Sequence, residues 1–264
     1  MLDPGLSDLS CSCLMAEWKV ERAKQHISDV EAITRWMIDP ANYVVRSELD
    51  TQTRQYQLHI GPAGGGLPRA LPLAIGDAVH NLRSGLDYLW SALERKANPD
   101  ANDRRSTFPS HEEKENLVDL VSKRIAIKKA FPQAEAFIID VIKPYKTGNF
   151  KLWVLGKLNN VDKHRLLLAT YSIARFGKFV ATSEDGGVID LSYSSIQTPG
   201  PIFKLGFVTP FKLNDDAEIA AEIVFAESDL PPGQLVVQTL VNFAEAVSET
   251  IQAFRETFLP APAE

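Results

Sequence analysis

Around residue 175 the apolar side chains of this chain change their spacing, and that change decides the fold class. Before it, Val20, Ala23, Ile27, Val30, Ile33 and Met37 return every three or four positions, the stripe of an amphipathic helix. Ile75, Ala78, Val79, Leu82, Leu86, Leu89 and Leu93 do the same. After it, residues 176–183, 188–196, 203–213 and 218–227 are rich in β-branched and aromatic types and read as strands. Asp185-Gly186-Gly187 between the first two is a hairpin turn signal. Beyond Pro231-Pro232-Gly233 the helical period returns, with Val237, Leu240, Val241, Ala244, Val247, Ile251, Phe254 and Phe258 on one stripe.

The same reading predicts helices over about 15–38, 71–97, 111–130, 132–142 and 150–170, and a hairpin from strands 43–49 and 54–60. The expected fold is α+β: a long-helix bundle, a short N-terminal β-hairpin and a four-stranded antiparallel meander. Residues 1–14 read as a loose leader and 15–260 as a single α+β domain, because the helices flank the sheet in sequence.

Composition excludes several classes. At 45% hydrophobic and 23% charged residues the chain has the makings of a packed core rather than a disordered polymer. No apolar run approaches the roughly 18–20 residues of a membrane span, so no membrane is expected as a partner. Cys11 and Cys13, the only cysteines, are too close for an ordinary bridge, and a reducing cytoplasm is the expected compartment. A net charge of −6 argues against a surface that coats nucleic acid throughout. Yet residues 121–165 hold ten Lys and Arg against three acids, while 213–264 hold ten acids against Arg255. Such regions either neutralise each other, the plainer expectation, or leave the basic one for an anionic ligand such as RNA.

Two helical stretches carry the candidate chemistry. In the first, Asp77, His80, Asn81, Ser84, Asp87 and Tyr88 share the polar face, with Arg83 at its border. Asp77 with His80 and Arg83 with Asp87 stand at spacings that meet on a helix surface. In the second, Leu158-Asn-Asn-Val-Asp-Lys-His-Arg165, Asp162 projects into the apolar arc of Leu152, Leu155, Leu158 and Leu166 and calls for a partner such as Arg165. Lys157, Asn160, Lys163 and His164 take the other side, where Trp153 offers a stacking surface. His80, Arg83 and His164 are the catalytic candidates, and Asn81, Asp87, Asn160, Lys163 and Arg165 the substrate-binding ones. Asp162 and His164 point about 160° apart on their helix and can hardly share a metal ion, so no metal or other cofactor is expected. His26, His59 and His111 read as packing, strand and helix-start residues. No P-loop, Rossmann, Gly-x-Ser-x-Gly or His-Glu-x-x-His pattern is present.

The pair Ala78-Val-His-Asn-Leu-Arg-Ser-Gly-Leu-Asp87 and Leu158-Asn-Asn-Val-Asp-Lys-His-Arg165 resembles a group of uncharacterised bacterial proteins that carry both elements. The first element is also similar to the Arg–His motif of HEPN-domain ribonucleases. That resemblance implies a helical, metal-independent endoribonuclease of toxin or phage-defence systems, in which Arg83 holds the scissile phosphate at a helical dimer. Tyr88 stands where that family has its His, leaving the acid–base position to His80 or His164. The other expectations are a non-catalytic scaffold or homodimer, with Arg83–Asp87 and Asp162–Arg165 as packing ion pairs, and a metal-dependent hydrolase built on the Asp and His residues of the two helices.

Overall fold

The computed structural model describes residues 8–39, 42–52, 54–62, 68–99, 106–165, 170–199, 203–207, 209–214 and 217–259. The chain is mixed α+β, with contacts grouping it into two compact units that interleave in sequence. One takes residues 1–28, 74–167 and 237–264; the other takes 29–73 and 168–236. The single domain expected over 15–260 thus meets a chain that leaves one unit and returns to it. Among the described residues no helix is long and apolar enough to cross a membrane.

The first unit is helical. Helix α1 spans Asp8–Ile38, beginning seven residues before the predicted start, with Leu9 and Cys13 buried where a loose leader was expected. Helix α2 spans Ala70–Ala97, and every residue of its predicted stripe from Ile75 to Leu93 is fully buried. The helix predicted over 111–130 is two: α3, Lys114–Ser122, and α4, Ile125–Ala130. Leu117 and Val121 lie a turn apart and are buried, but the next buried residue, Ile127, lies six positions on, a spacing one straight helix cannot keep on one face. Helix α5, Ala134–Ala136, runs into a π-helical turn over Phe137–Ile142 and stops at Lys143 in the left-handed region (φ 58°). Helix α6 spans Phe150–Arg165 and α7 spans Val236–Phe258. An aromatic cluster ties α7 to the π-helical turn and to the end of α4: Phe137 lies 6.1 Å from Phe254 and 5.1 Å from Phe258, and Phe131 lies 5.8 Å from Phe258.

The second unit holds the strands: β1 (Tyr43–Asp50), β2 (Gln55–Pro62), β3 (Thr170–Phe176), β4 (Val180–Ser183), β5 (Val188–Asp190), β6 (Ser195–Pro199), β7 (Phe203–Phe207), β8 (Phe211–Leu213) and β9 (Ile219–Phe225). The predicted hairpin β1–β2 is present, with Tyr43 opposite Pro62. A four-stranded meander is not. The ladders are three-stranded antiparallel sheets, ordered β1-β2-β7, β6-β3-β9 and β5-β4-β8. Three of the four strands predicted after residue 175 break and send their parts to different ladders, while the fourth, over 218–227, stays whole as β9. Gly177-Lys178 bends the first, Ser192-Tyr193 the second (Tyr193 φ 60°), and Thr209-Pro210 the third. The Asp185-Gly186-Gly187 hairpin survives the bend, because Val180 faces Asp190 and Arg175 faces Ser195 in one continuous register. Strand β7 departs to pair with β2, Leu58 opposite Leu205.

Candidate functional site

The two stretches singled out in the sequence meet inside the helical unit. Gly76 of α2 lies so close to α6 that a Cβ there would stand 2.6 Å from Oδ1 of Asp162, an approach only glycine allows without displacing that carboxylate. One turn further along, Nδ1 of His80 lies 3.3 Å from Oδ1 of Asn159, which assigns the Nδ1 proton to the bond. His80 itself is exposed, its other nitrogen 3.5 Å from the Ser84 hydroxyl.

Arg83 is the anomaly. Its side chain is 8% exposed, and three contacts hold it: Nε lies 3.1 Å from Oδ1 of Asp87, Nη2 donates to the Phe108 carbonyl, and the guanidinium carbon stands 5.9 Å from the Phe108 ring centre. The same Asp87 oxygen accepts the Phe108 backbone N–H at 2.8 Å. One ion pair on α2 therefore clips both backbone groups of one loop residue and fixes the segment before α3. Burial pushes the Arg83 guanidinium below its usual range and the Asp87 carboxylate counters it. An arginine stays charged under these conditions. Nη1 remains, buried, with no hydrogen-bond partner among the described residues.

Arg83 forms part of the wall of a pocket of about 380 Å³. Its walls are Arg83 and Asp87 from α2, Thr107 to Glu112 from the clipped loop, Leu120, and Trp153, Gly156, Lys157, Asn159, Asn160 and Lys163 from α6. Gly156 lets α6 approach Arg83 and Ser110 closely: a Cβ there would sit 3.3 Å from Nη1 and 3.2 Å from Oγ of Ser110. Glu112 is paired with Lys146 at 2.7 Å, which holds its carboxyl below the usual carboxylate range. Lys146 and Lys157 cover the Trp153 ring at 5.1 and 5.7 Å. Lys157 and Lys163 have no ion pair among the described residues.

Of the residues chosen from sequence, Arg83, Asp87, Asn160 and Lys163 come together in this pocket. His80 lies outside its lining and reaches it only through Asn159. Asn81 is not free for a substrate: it is buried, donating to the Asp77 carbonyl at 2.8 Å and accepting from Lys19 of α1 at 3.1 Å. The side chains of His164 and Arg165 lie outside the described residues, as does that of His59. Trp153 offers no stacking surface, being 2% exposed. Among the described residues Arg124 pairs with Glu94, Lys123 with Asp119 and Lys128 with Glu135, none of these acids lying in the acidic C-terminal stretch. Sequence reasoning missed Ser110, His111 and Gly156. His111 takes the pocket wall that His80 was expected to take, its Nδ1 accepting the Glu113 N–H at 3.3 Å.

Asp162 is half-buried over Gly76 and beside Asp77, not sunk in the apolar arc. Burial and then Asp77 raise its carboxyl above the usual value, against a smaller opposing effect of His80 and Lys163. A carboxyl raised in the folded state binds protons more tightly there, so its ionisation costs stability as pH rises through the carboxylate range. Asp162→Asn is expected to raise the melting temperature at neutral pH, with the difference closing below the ordinary Asp range. A lower melting temperature at neutral pH contradicts this and restores the buried-ion-pair reading.

Among the described residues no group of three or more His, Cys, Asp or Glu is placed to hold a metal ion. Set against known protein families, curated proteins and solved structures, the chain matches none.

Proposed function

We propose that this chain binds a phosphate-bearing ligand in the pocket between α2 and α6. The observation that carries the reading is Nη1 of Arg83: a buried, charged donor with no partner among the described residues, packed beside a glycine at the wall of the pocket. An unsatisfied buried donor costs about 1–3 kcal/mol, and a ligand oxygen removes that cost on binding. With Nε and Nη2 engaged by Asp87 and Phe108, Nη1 offers a phosphate oxygen the charged N–H donors that remain. Lys157 and Lys163 add charge at the same mouth, and Ser110 and Asn160 add neutral donors.

Gly156→Ala tests the reading with little risk to the fold. Alanine gains up to about 1 kcal/mol over glycine inside a helix, which offsets the squeeze on Ser110 and Arg83. The variant is expected to melt within a few degrees of the wild type and to bind inorganic phosphate or single-stranded RNA at least roughly tenfold more weakly, as loss of a charge-assisted hydrogen bond implies. Equal binding by both proteins contradicts the proposal.

Metal-independent RNA cleavage is the second reading, favoured by the His111 imidazole in the same wall. With Nδ1 accepting from Glu113, its neutral form carries the proton on Nε2, and an imidazole is a group that can relay a proton in such a reaction. Wild-type protein then cleaves RNA in EDTA and His111→Ala does not. Intact RNA with the wild type removes this reading and leaves the binding one standing.

A further inference from the structure

Resting on that phosphate reading, we infer that the ligand is a phosphomonoester dianion rather than an internal phosphodiester. The charges around the pocket divide unevenly. Asp87 is matched by Arg83 at 3.1 Å and Glu112 by Lys146 at 2.7 Å. Lys157 and Lys163 line the same pocket and form no ion pair among the described residues, acting on Glu112 and Asp162 only at longer range. A phosphomonoester carries about −1.5 to −2 at pH 7, whereas a diester carries a single charge. The monoester is the ligand that balances both lysines.

Shape points the same way. Gly156 lets α6 close on Arg83 and Ser110, since a Cβ there would stand 3.3 Å from Nη1 and 3.2 Å from the Ser110 hydroxyl. Arg83 is 7% exposed, so a narrow terminal group reaches it and a chain passing across it does not. A monoester enters with three unsubstituted oxygens leading and its single ester link trailing outward. A diester has links in two directions, one of which must turn back against the α6 wall. The pocket volume of about 380 Å³ lies in the range of sites for small molecules. The group supplying the monoester is either a free nucleotide or sugar phosphate, or the phosphorylated end of an RNA strand.

Calorimetric titration of the whole chain separates these cases. The probes are inorganic phosphate, AMP, cyclic AMP, which has the same base but a diester, and one short single-stranded RNA with and without a 5′-phosphate. AMP is expected to bind roughly tenfold or more tightly than cyclic AMP, the scale of one charge-assisted bond. Lys157→Gln and Lys163→Gln are expected to bring that ratio towards one. A 5′-phosphate that strengthens RNA binding by a similar factor places the monoester on RNA ends; no effect of the 5′-phosphate alongside tight AMP binding places it on a small molecule. If cyclic AMP and 5′-hydroxyl RNA bind as well as their monoester counterparts, the inference is overturned while the phosphate reading stands. If none of the probes binds, inorganic phosphate at millimolar concentration included, both are overturned.

Discussion

Asp87→Ala is expected to lower the stability of the protein by about 3 kcal/mol, the lower end of the cost of stripping one partner from a buried ion pair. The lower end applies because the Asp87 side chain keeps 26% of its exposure. Three losses add up at one position. Arg83 becomes a buried cation with no counter-charge, the Phe108 N–H loses its acceptor, and the loop that walls the pocket loses its clip to α2. For a chain of this length each kcal/mol moves the melting temperature by roughly 2–4 °C, so thermal unfolding followed by circular dichroism should shift down by about 6–12 °C. Asp87→Asn keeps one oxygen for Phe108 and should fall between the two. An unchanged melting temperature for Asp87→Ala would mean that the Arg83–Asp87–Phe108 triangle does not hold the loop.

Phe254→Ala is expected to cost still more, about 3–5 kcal/mol, because a fully buried ring leaves a cavity that rigid neighbours cannot fill. Phe254 is 1% exposed and lies 4.7 Å from Phe258 and 6.1 Å from Phe137, so its removal opens the junction between α7 and the π-helical turn. Urea titration should show an earlier midpoint for this variant. Trp18→Ala, at a site 56% exposed on α1, should stay within about 0.5 kcal/mol of wild type. Equal midpoints for Phe254→Ala and wild type would show that the aromatic cluster is not part of the core.

Helical periodicity alone marks most of the helical unit. The α2 stripe is read correctly at every position because its burial depends only on spacing along one helix. Strand breaks proved harder. Gly177 and Thr209-Pro210 stood in the sequence as interruptions, yet alternation on either side looks the same whether a strand runs straight or bends into another ladder. The pairing of β7 with β2 joins segments some 145 positions apart and leaves no local trace.

The site was half legible. Arg83 and Asp87 announce themselves by spacing, and both α2 and α6 stand out as stretches that carry candidate chemistry. What buries Arg83 is the carbonyl of Phe108, in a stretch without period, and no wheel contains that contact. One available signal was passed over: Gly156 sits inside a strong helix at a cost of about 1 kcal/mol relative to alanine, which marks a place where something must come close. Gly76, facing Asp162, carries the same message. His111 was dismissed as a helix start because the loop that folds it over α6 is fixed by the Arg83–Asp87 clip rather than by its own residues.

The seat itself can be located directly. Crystals of the protein soaked in tungstate, a heavy tetrahedral oxyanion, should give an anomalous peak within hydrogen-bonding reach of Arg83 Nη1 and Ser110 Oγ, and Gly156→Ala crystals should not. A peak lodged elsewhere, or one that persists unchanged in the alanine variant, would contradict a phosphate seat at Arg83.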